Sequence, residues 1–101
     1  MLDIVMETEG DVLKVKLTGE LDGMSSPEFE EKIEDKQTEV SRIVIDASEL
    51  EYVSSAGLRV ILATQQYMEE NGKDTVQIIN VTEEVAEILE LCGFDEIIEV
   101  K

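Results

Sequence analysis

The sequence of 101 residues predicts an α/β fold, and three observations carry that prediction. Two strand-like runs open the chain around a Gly turn, later β-branched runs alternate with amphipathic segments of helical length, and helix start and stop signals fall between them. The order is ββαβαβαβ. Helices between the later strands imply right-handed crossovers, so the expected mixed sheet has an antiparallel N-terminal pair followed by parallel strands and is covered by helices. A chain of this length is expected to form one domain, 1–101, and no linker, repeat or low-complexity tract divides it.

Leu2 to Thr8 and Asp11 to Thr18 flank Glu9-Gly10. The second run sets Val12, Leu13, Val15 and Leu17 against Lys14 and Lys16, which predicts an antiparallel pair with one solvated face. Gly19-Glu20-Leu21-Asp22-Gly23 is expected to break that strand. Ser25-Ser26-Pro27-Glu28 then reads as a helix start, with a Ser cap, Pro in the first turn and acid near the positive end. Phe29, Ile33 and Val40 supply the apolar positions of this first helix. Glu30, Glu31, Glu34 and Asp35 follow helix-surface spacing without a liganding loop, so they predict a solvated face and no metal site.

Arg42-Ile43-Val44-Ile45-Asp46 is a β-branched run of the kind found in a central strand buried on both faces. Ala47 to Val53 leads from it into Ser54-Ser55-Ala56-Gly57. Leu58, Ile61, Leu62 and Gln65, with Val60, Ala63 and Tyr67, give the second helix a broad apolar surface that Asn71-Gly72 terminates. Thr75 to Asn80 is a further strand. Asn80 or Thr82 caps a third helix in which Val85, Ile88, Leu89 and Cys92 share one face, placing Cys92 in the core, and Gly93 ends it. Ile97 to Val100 makes the last strand.

Lys plus Arg number 8 and Asp plus Glu 25, for a formal charge of −17. Such a field repels phosphate backbones and anionic lipid, so neither nucleic acid nor direct membrane contact is expected. A basic protein partner is compatible with it, and much of the acid serves solubility. The chain has no histidine and one cysteine. Histidine-based acid/base catalysis, Ser-His-Asp triads and Cys/His zinc sites therefore lack their residues, and no catalytic residue, cofactor or enzymatic activity is predicted. A single thiol excludes an internal disulfide and fits a reducing compartment. Met1-Leu2-Asp3 does not begin a basic and then apolar leader, and the cytoplasm is the expected location.

The stretch Val53 to Leu62 organises the chain. Ser is a preferred N-cap, so Ser54-Ser55 marks a hydroxyl-bearing helix N-terminus with exposed amide donors and a partial positive charge, a setting that stabilises phosphate. From Tyr52 to Met68 there is no Asp or Glu, and Arg59 is the only charge. A half-buried helix accounts for that window as well as a docking face does. Gly57 and Ala56 either admit the backbone of a partner or let the helix pack closely on the preceding strand. Asp46 either bonds the backbone of the following loop or accepts a phosphoryl group. The latter would make a receiver-like domain, although the opening pair lacks the acidic pair such a site needs. Arg59, four residues after Ser55, either folds over a phosphate there or is an ordinary surface Arg.

Gly19-Glu20-Leu21-Asp22, Ile43-Val44-Ile45-Asp46-Ala47-Ser48, Tyr52-Val53-Ser54-Ser55-Ala56-Gly57-Leu58 and Leu91-Cys92-Gly93-Phe94 together resemble, in order and spacing over nearly the whole chain, the STAS domain of bacterial anti-sigma factor antagonists. The resemblance implies a protein that binds an anti-sigma factor with serine kinase activity, is phosphorylated by it on a Ser at the start of the second helix, and is reactivated by a PP2C-type phosphatase. Matching the Gly-Leu pair of the family motif to Gly57-Leu58 puts the phosphoacceptor at Ser55. That family commonly has Asp before the acceptor and Ser or Thr after it, whereas Ser54 and Ala56 stand here, so Ser54 is the second candidate. The expected docking surface comprises Asp22, Gly23, Met24, Ser25, Ser54, Ser55, Ala56, Gly57 and Arg59. A STAS module in a stress-sensing scaffold or a lipid-transport complex is the alternative role.

Overall fold

The computed structural model describes residues 2–101 and opens with the antiparallel hairpin β1 (Leu2–Glu9) and β2 (Val12–Leu21). There follow α1 (Ser26–Gln37), β3 (Arg42–Val53), α2 (Ser55–Glu70), β4 (Gln77–Ile79), α3 (Glu83–Leu91), a 3-10 turn at Phe94–Glu96 and β5 (Glu99–Val100). The strands lie side by side in chain order, with β2·β3, β3·β4 and β4·β5 parallel. The mixed sheet and the element order are those expected.

One face of the sheet carries the core. Leu13, Val15 and Leu17 on β2, Ile43, Ile45 and Ala47 on β3, and Ile78 on β4 are buried. They join a single cluster with Phe29 and Ile33 of α1, Leu58, Ile61 and Met68 of α2, and Val85 and Leu89 of α3. Burying one such aliphatic or aromatic side chain is worth about 1.5–3 kcal/mol. The other face stays open. Lys14 and Lys16 are exposed, while Val44 and Asp46 are only half-buried and Val5 is 63% exposed. The expectation that β3 is buried on both faces is therefore corrected: its β-branched run alternates, because the helices cover one side only.

Other boundaries also move. Gly19 does not end β2; with φ 106° it is absorbed at a register irregularity, and the strand continues to Leu21 because β3 continues beside it to Val53. Val40 is buried but lies beyond α1, which stops at Gln37. Ala63 is exposed on α2, whereas Thr64 and Met68 are buried. Thr82, not Asn80, caps α3, its hydroxyl accepting from the Val85 amide at 3.3 Å. Cys92 stands past the last helical turn and is exposed, not in the core. Asn71 and Gly72 close α2 and Gly93 closes α3, with φ 66° and 75° at the two glycines.

Candidate functional site

Leu21 of β2 and Val53 of β3 are register partners at the C-terminal ends of adjacent parallel strands. The segments that leave them, Asp22–Ser25 and Ser54–Gly57, therefore emerge together, which is where ligand-binding segments of parallel sheets gather. The Ser54 amide donates to the Leu21 carbonyl at 2.8 Å and ties the two exits. Gly57 completes the junction. A Cβ there would stand 2.6 Å from Leu21 Cγ and 3.1 Å from the Leu21 carbonyl oxygen. Gly57 is buried, and of its two roles close packing is the one the geometry requires, against Leu21 of β2 and not, as expected, against the preceding strand β3.

The two serines differ. Ser54 has extended φ/ψ and is the N-cap of α2, its Oγ accepting from the Gly57 amide at 3.3 Å and its carbonyl from the Leu58 amide at 2.9 Å. Ser55 is the first helical residue and is exposed. Its hydroxyl has no hydrogen-bond partner among the described residues, and neither do the Ser55 and Ala56 amides. The first turn of α2 contains no acid, so nothing on the helix offsets its positive end.

The Asp22–Ser25 loop is closed by its own side chains. Asp22 Oδ1 accepts from the Met24 and Ser25 amides at 3.0 Å each, and Ser25 Oγ accepts from the Asp22 amide at 2.9 Å. The Ser25 hydroxyl proton is shared between the Glu20 carbonyl and Asp22 Oδ1. Ser25 is thus spent on the loop and does not cap α1 through its side chain as its position had suggested; the chain winds directly into the helix, the Ser26 amide bonding the Asp22 carbonyl at 2.9 Å. Donation from Ser25, backbone and side chain, holds the Asp22 carboxyl below its ordinary value. Met24, at the loop tip, is 93% exposed.

Between the starts of α1 and α2 runs a groove of about 260 Å³, lined by Gly23, Ser26, Pro27 and Glu30 on one side and Ala56, Arg59 and Val60 on the other. Arg59 is exposed and makes no ion pair among the described residues. Of the residues expected at the docking surface, Gly23, Ala56 and Arg59 line this groove, while Asp22, Met24 and Ser25 line a separate hollow with Leu2 and Glu28. Pro27, Glu30 and Val60, which also line the groove, were not singled out, because only the packing of α1 on α2 brings them there.

Asp46 is elsewhere, on the open face of the sheet. Its Oδ1 accepts from the Ser48 amide at 2.9 Å and from Asn80 Nδ2 at 3.4 Å, and the Ser48 amide chiefly holds its carboxyl below the ordinary value. This is the backbone-bonding role, and the opening hairpin is foreign to a receiver-type arrangement. Among the described residues no group of His, Cys, Asp and Glu is placed to hold a metal ion, and no helix is long and apolar enough to cross a membrane.

A one-sided mixed sheet that presents a free helix-start hydroxyl beside a preformed loop defines a small α/β interaction module. The chain belongs to the STAS domain family, whose model matches residues 3–101. It is 27% identical over 100 residues to the anti-sigma-B factor antagonist of Staphylococcus aureus (strain NCTC 8325 / PS 47), covering 98% of this chain and 92% of that protein. The protein of the same name from Staphylococcus epidermidis is 28% identical over the same coverage. Among solved structures, an anti-sigma factor antagonist from Mycobacterium paratuberculosis matches with a TM-score of 0.87 over 99% of this chain and 85% of that one, at 22% identity. The Bacillus cell fate determinant SpoIIAA in its phosphorylated form matches with a TM-score of 0.78 over 98% and 91%, at 18% identity. These structural likenesses establish the fold.

Proposed function

We propose that this chain is an anti-sigma factor antagonist: a cytoplasmic binding module, not an enzyme, that docks on an anti-sigma factor with serine kinase activity and is switched off by phosphorylation of Ser55. The observation that carries the reading is the division of labour between the two serines. The Ser54 hydroxyl is committed to capping α2, while the Ser55 hydroxyl is exposed and free beside two unused amides. A phosphate brings about −1.5 to −2 charges, and a helix N-terminus accommodates them. The fold then stays as it is, and the effect falls on the partner, which meets new charge and bulk on a surface made by Asp22, Gly23, Met24, Ser25, Ser54, Ser55, Ala56 and Arg59, with the buried Gly57 beneath it. A PP2C-type phosphatase restores the free hydroxyl. The names of the Staphylococcus relatives support the partner class.

The test is incubation of wild type, Ser54→Ala and Ser55→Ala with candidate anti-sigma kinases and ATP, followed by mass spectrometry. Labelling lost only in Ser55→Ala supports the reading. Labelling that survives loss of Ser55 but not of Ser54 moves the site by one residue, and no labelling by any of them favours a scaffold or transport role.

A further inference from the structure

Resting on that reading, we infer that Arg59 selects the partner by meeting a carboxylate on the partner's docking element, and that the sign of the phosphorylation switch follows from this contact. The chain has 25 acids against 8 Lys and Arg, yet Arg59 is the only charge between Tyr52 and Met68. It lines the groove from α2 with Ala56 and Val60, and Glu30 lines it from α1 with Ser26 and Pro27. The guanidinium and the carboxylate lie too far apart to form an ion pair. Two unpaired opposite charges on the two walls of one groove fit a segment with the inverse pattern, an acid toward Arg59 and a cation toward Glu30, and only in one orientation.

Ser55 lies one helical turn before Arg59 on the same face. Unmodified, this face of α2 has one positive charge. A phosphate on Ser55 adds about −1.5 to −2 and makes it net negative, so a partner carboxylate attracted by Arg59 is repelled. A partner that placed a cation there would bind the phosphorylated form more tightly, contrary to a switch that turns binding off. An acid opposite Arg59 is the arrangement for which phosphorylation releases the complex.

The probe is the kinase that labels wild type in the assay above, so a failure of the functional reading shows itself first, as absence of labelling. Dissociation constants are measured by calorimetry at two salt concentrations for wild type, Arg59→Ala, Arg59→Lys and Arg59→Glu, with circular dichroism as the control for folding. The expected result is about tenfold weaker binding for Arg59→Ala, the equivalent of 1.4 kcal/mol. Arg59→Glu is weaker still, Arg59→Lys recovers most of the loss, and the alanine variant is less salt-sensitive than wild type. Binding by Arg59→Glu as tight as that of wild type, with wild type still labelled, overturns the inference while leaving the functional reading intact. So does an Arg59→Ala variant that binds more tightly.

Discussion

Asp22 and Ser25 close on each other reciprocally: the Ser25 hydroxyl accepts from the Asp22 amide at 2.9 Å while the Asp22 carboxylate accepts from the Ser25 amide at 3.0 Å. The arrangement resembles a helix capping box moved off the helix and into the preceding loop. It fixes the turn between β2 and α1 without a core contact, and leaves Met24 exposed at its tip. A loop ordered in advance in this way would lower the entropy that the docking proposed above has to remove.

Because the Asp22 carboxyl is held below its ordinary value of 3.8 by donation from Ser25, its contribution has a definite pH dependence. The folded loop prefers the carboxylate more than the unfolded chain does, so the stabilisation is full above pH 3.8 and is lost as pH falls through the lower folded value. The Met24 and Ser25 amide proton shifts in NMR should titrate with a midpoint below 3.8, and Asp22→Ala should abolish that titration. A midpoint above 3.8 would contradict the loop geometry.

Ser54 and Ser55 should differ in what they contribute to stability. Ser54→Ala removes the α2 cap and is expected to cost about 1 kcal/mol, read as a lowered midpoint in urea. Ser55→Ala removes an exposed, unbonded hydroxyl and should leave the midpoint within about 0.5 kcal/mol of wild type. Equal losses in the two variants would mean that both hydroxyls serve the fold.

The sequence made these elements legible where one local signal decides them: the Ser-Ser start of α2, the Asn-Gly and Gly stops, the alternation in β2. It failed where a neighbour decides. Gly19 reads as a break because the pairing of β3 beside it cannot be seen in one segment, and β3 reads as doubly buried because Val44 and Asp46 become half-exposed only when all the helices choose the same face. The Ser25 hydroxyl reads as a helix cap because nothing local shows that Asp22 and Glu20 claim it first. Cys92 fits the helical period of Val85 and Leu89, but α3 ends at Leu91, one residue too soon to bring it over the core.

That last difference is directly measurable. Cys92 is exposed and is the only thiol in the chain, so a soluble disulfide reagent should modify the native protein completely at the same stoichiometry as the unfolded one. Protection that disappears only in denaturant would return Cys92 to the core.

Gln65 is a polar residue that the core uses. It is 6% exposed, and its Oε1 accepts from the Val76 amide at 2.9 Å, joining α2 to the chain just before β4. Gln65→Leu keeps the bulk but leaves that buried amide without an acceptor, a loss of about 1–3 kcal/mol. Accelerated exchange of the Val76 amide proton, together with a lowered urea midpoint, is the expected outcome; an unchanged midpoint would show that another acceptor replaces the side chain.

Gly57 tests the joint between α2 and β2 most sharply, because two effects of opposite sign meet there. Replacing a helical Gly by Ala ordinarily stabilises a helix by about 0.8–1 kcal/mol. Here the added methyl group would lie 2.6 Å from Leu21 Cγ and 3.1 Å from the Leu21 carbonyl oxygen. The Leu21 side chain is fully buried and cannot swing into solvent, and its carbonyl is held by the Ser54 amide. Such overpacking costs about 1–3 kcal/mol, so Gly57→Ala should be net destabilising by about 1 kcal/mol, a fall in melting temperature of about 4–8 °C for a domain of this size. Relief should come from the other side of the contact: with Leu21→Ala in place the same substitution loses most of its cost, because the side-chain part of the clash is gone. A melting temperature that rises in Gly57→Ala alone would show that α2 does not press on Leu21 at this point.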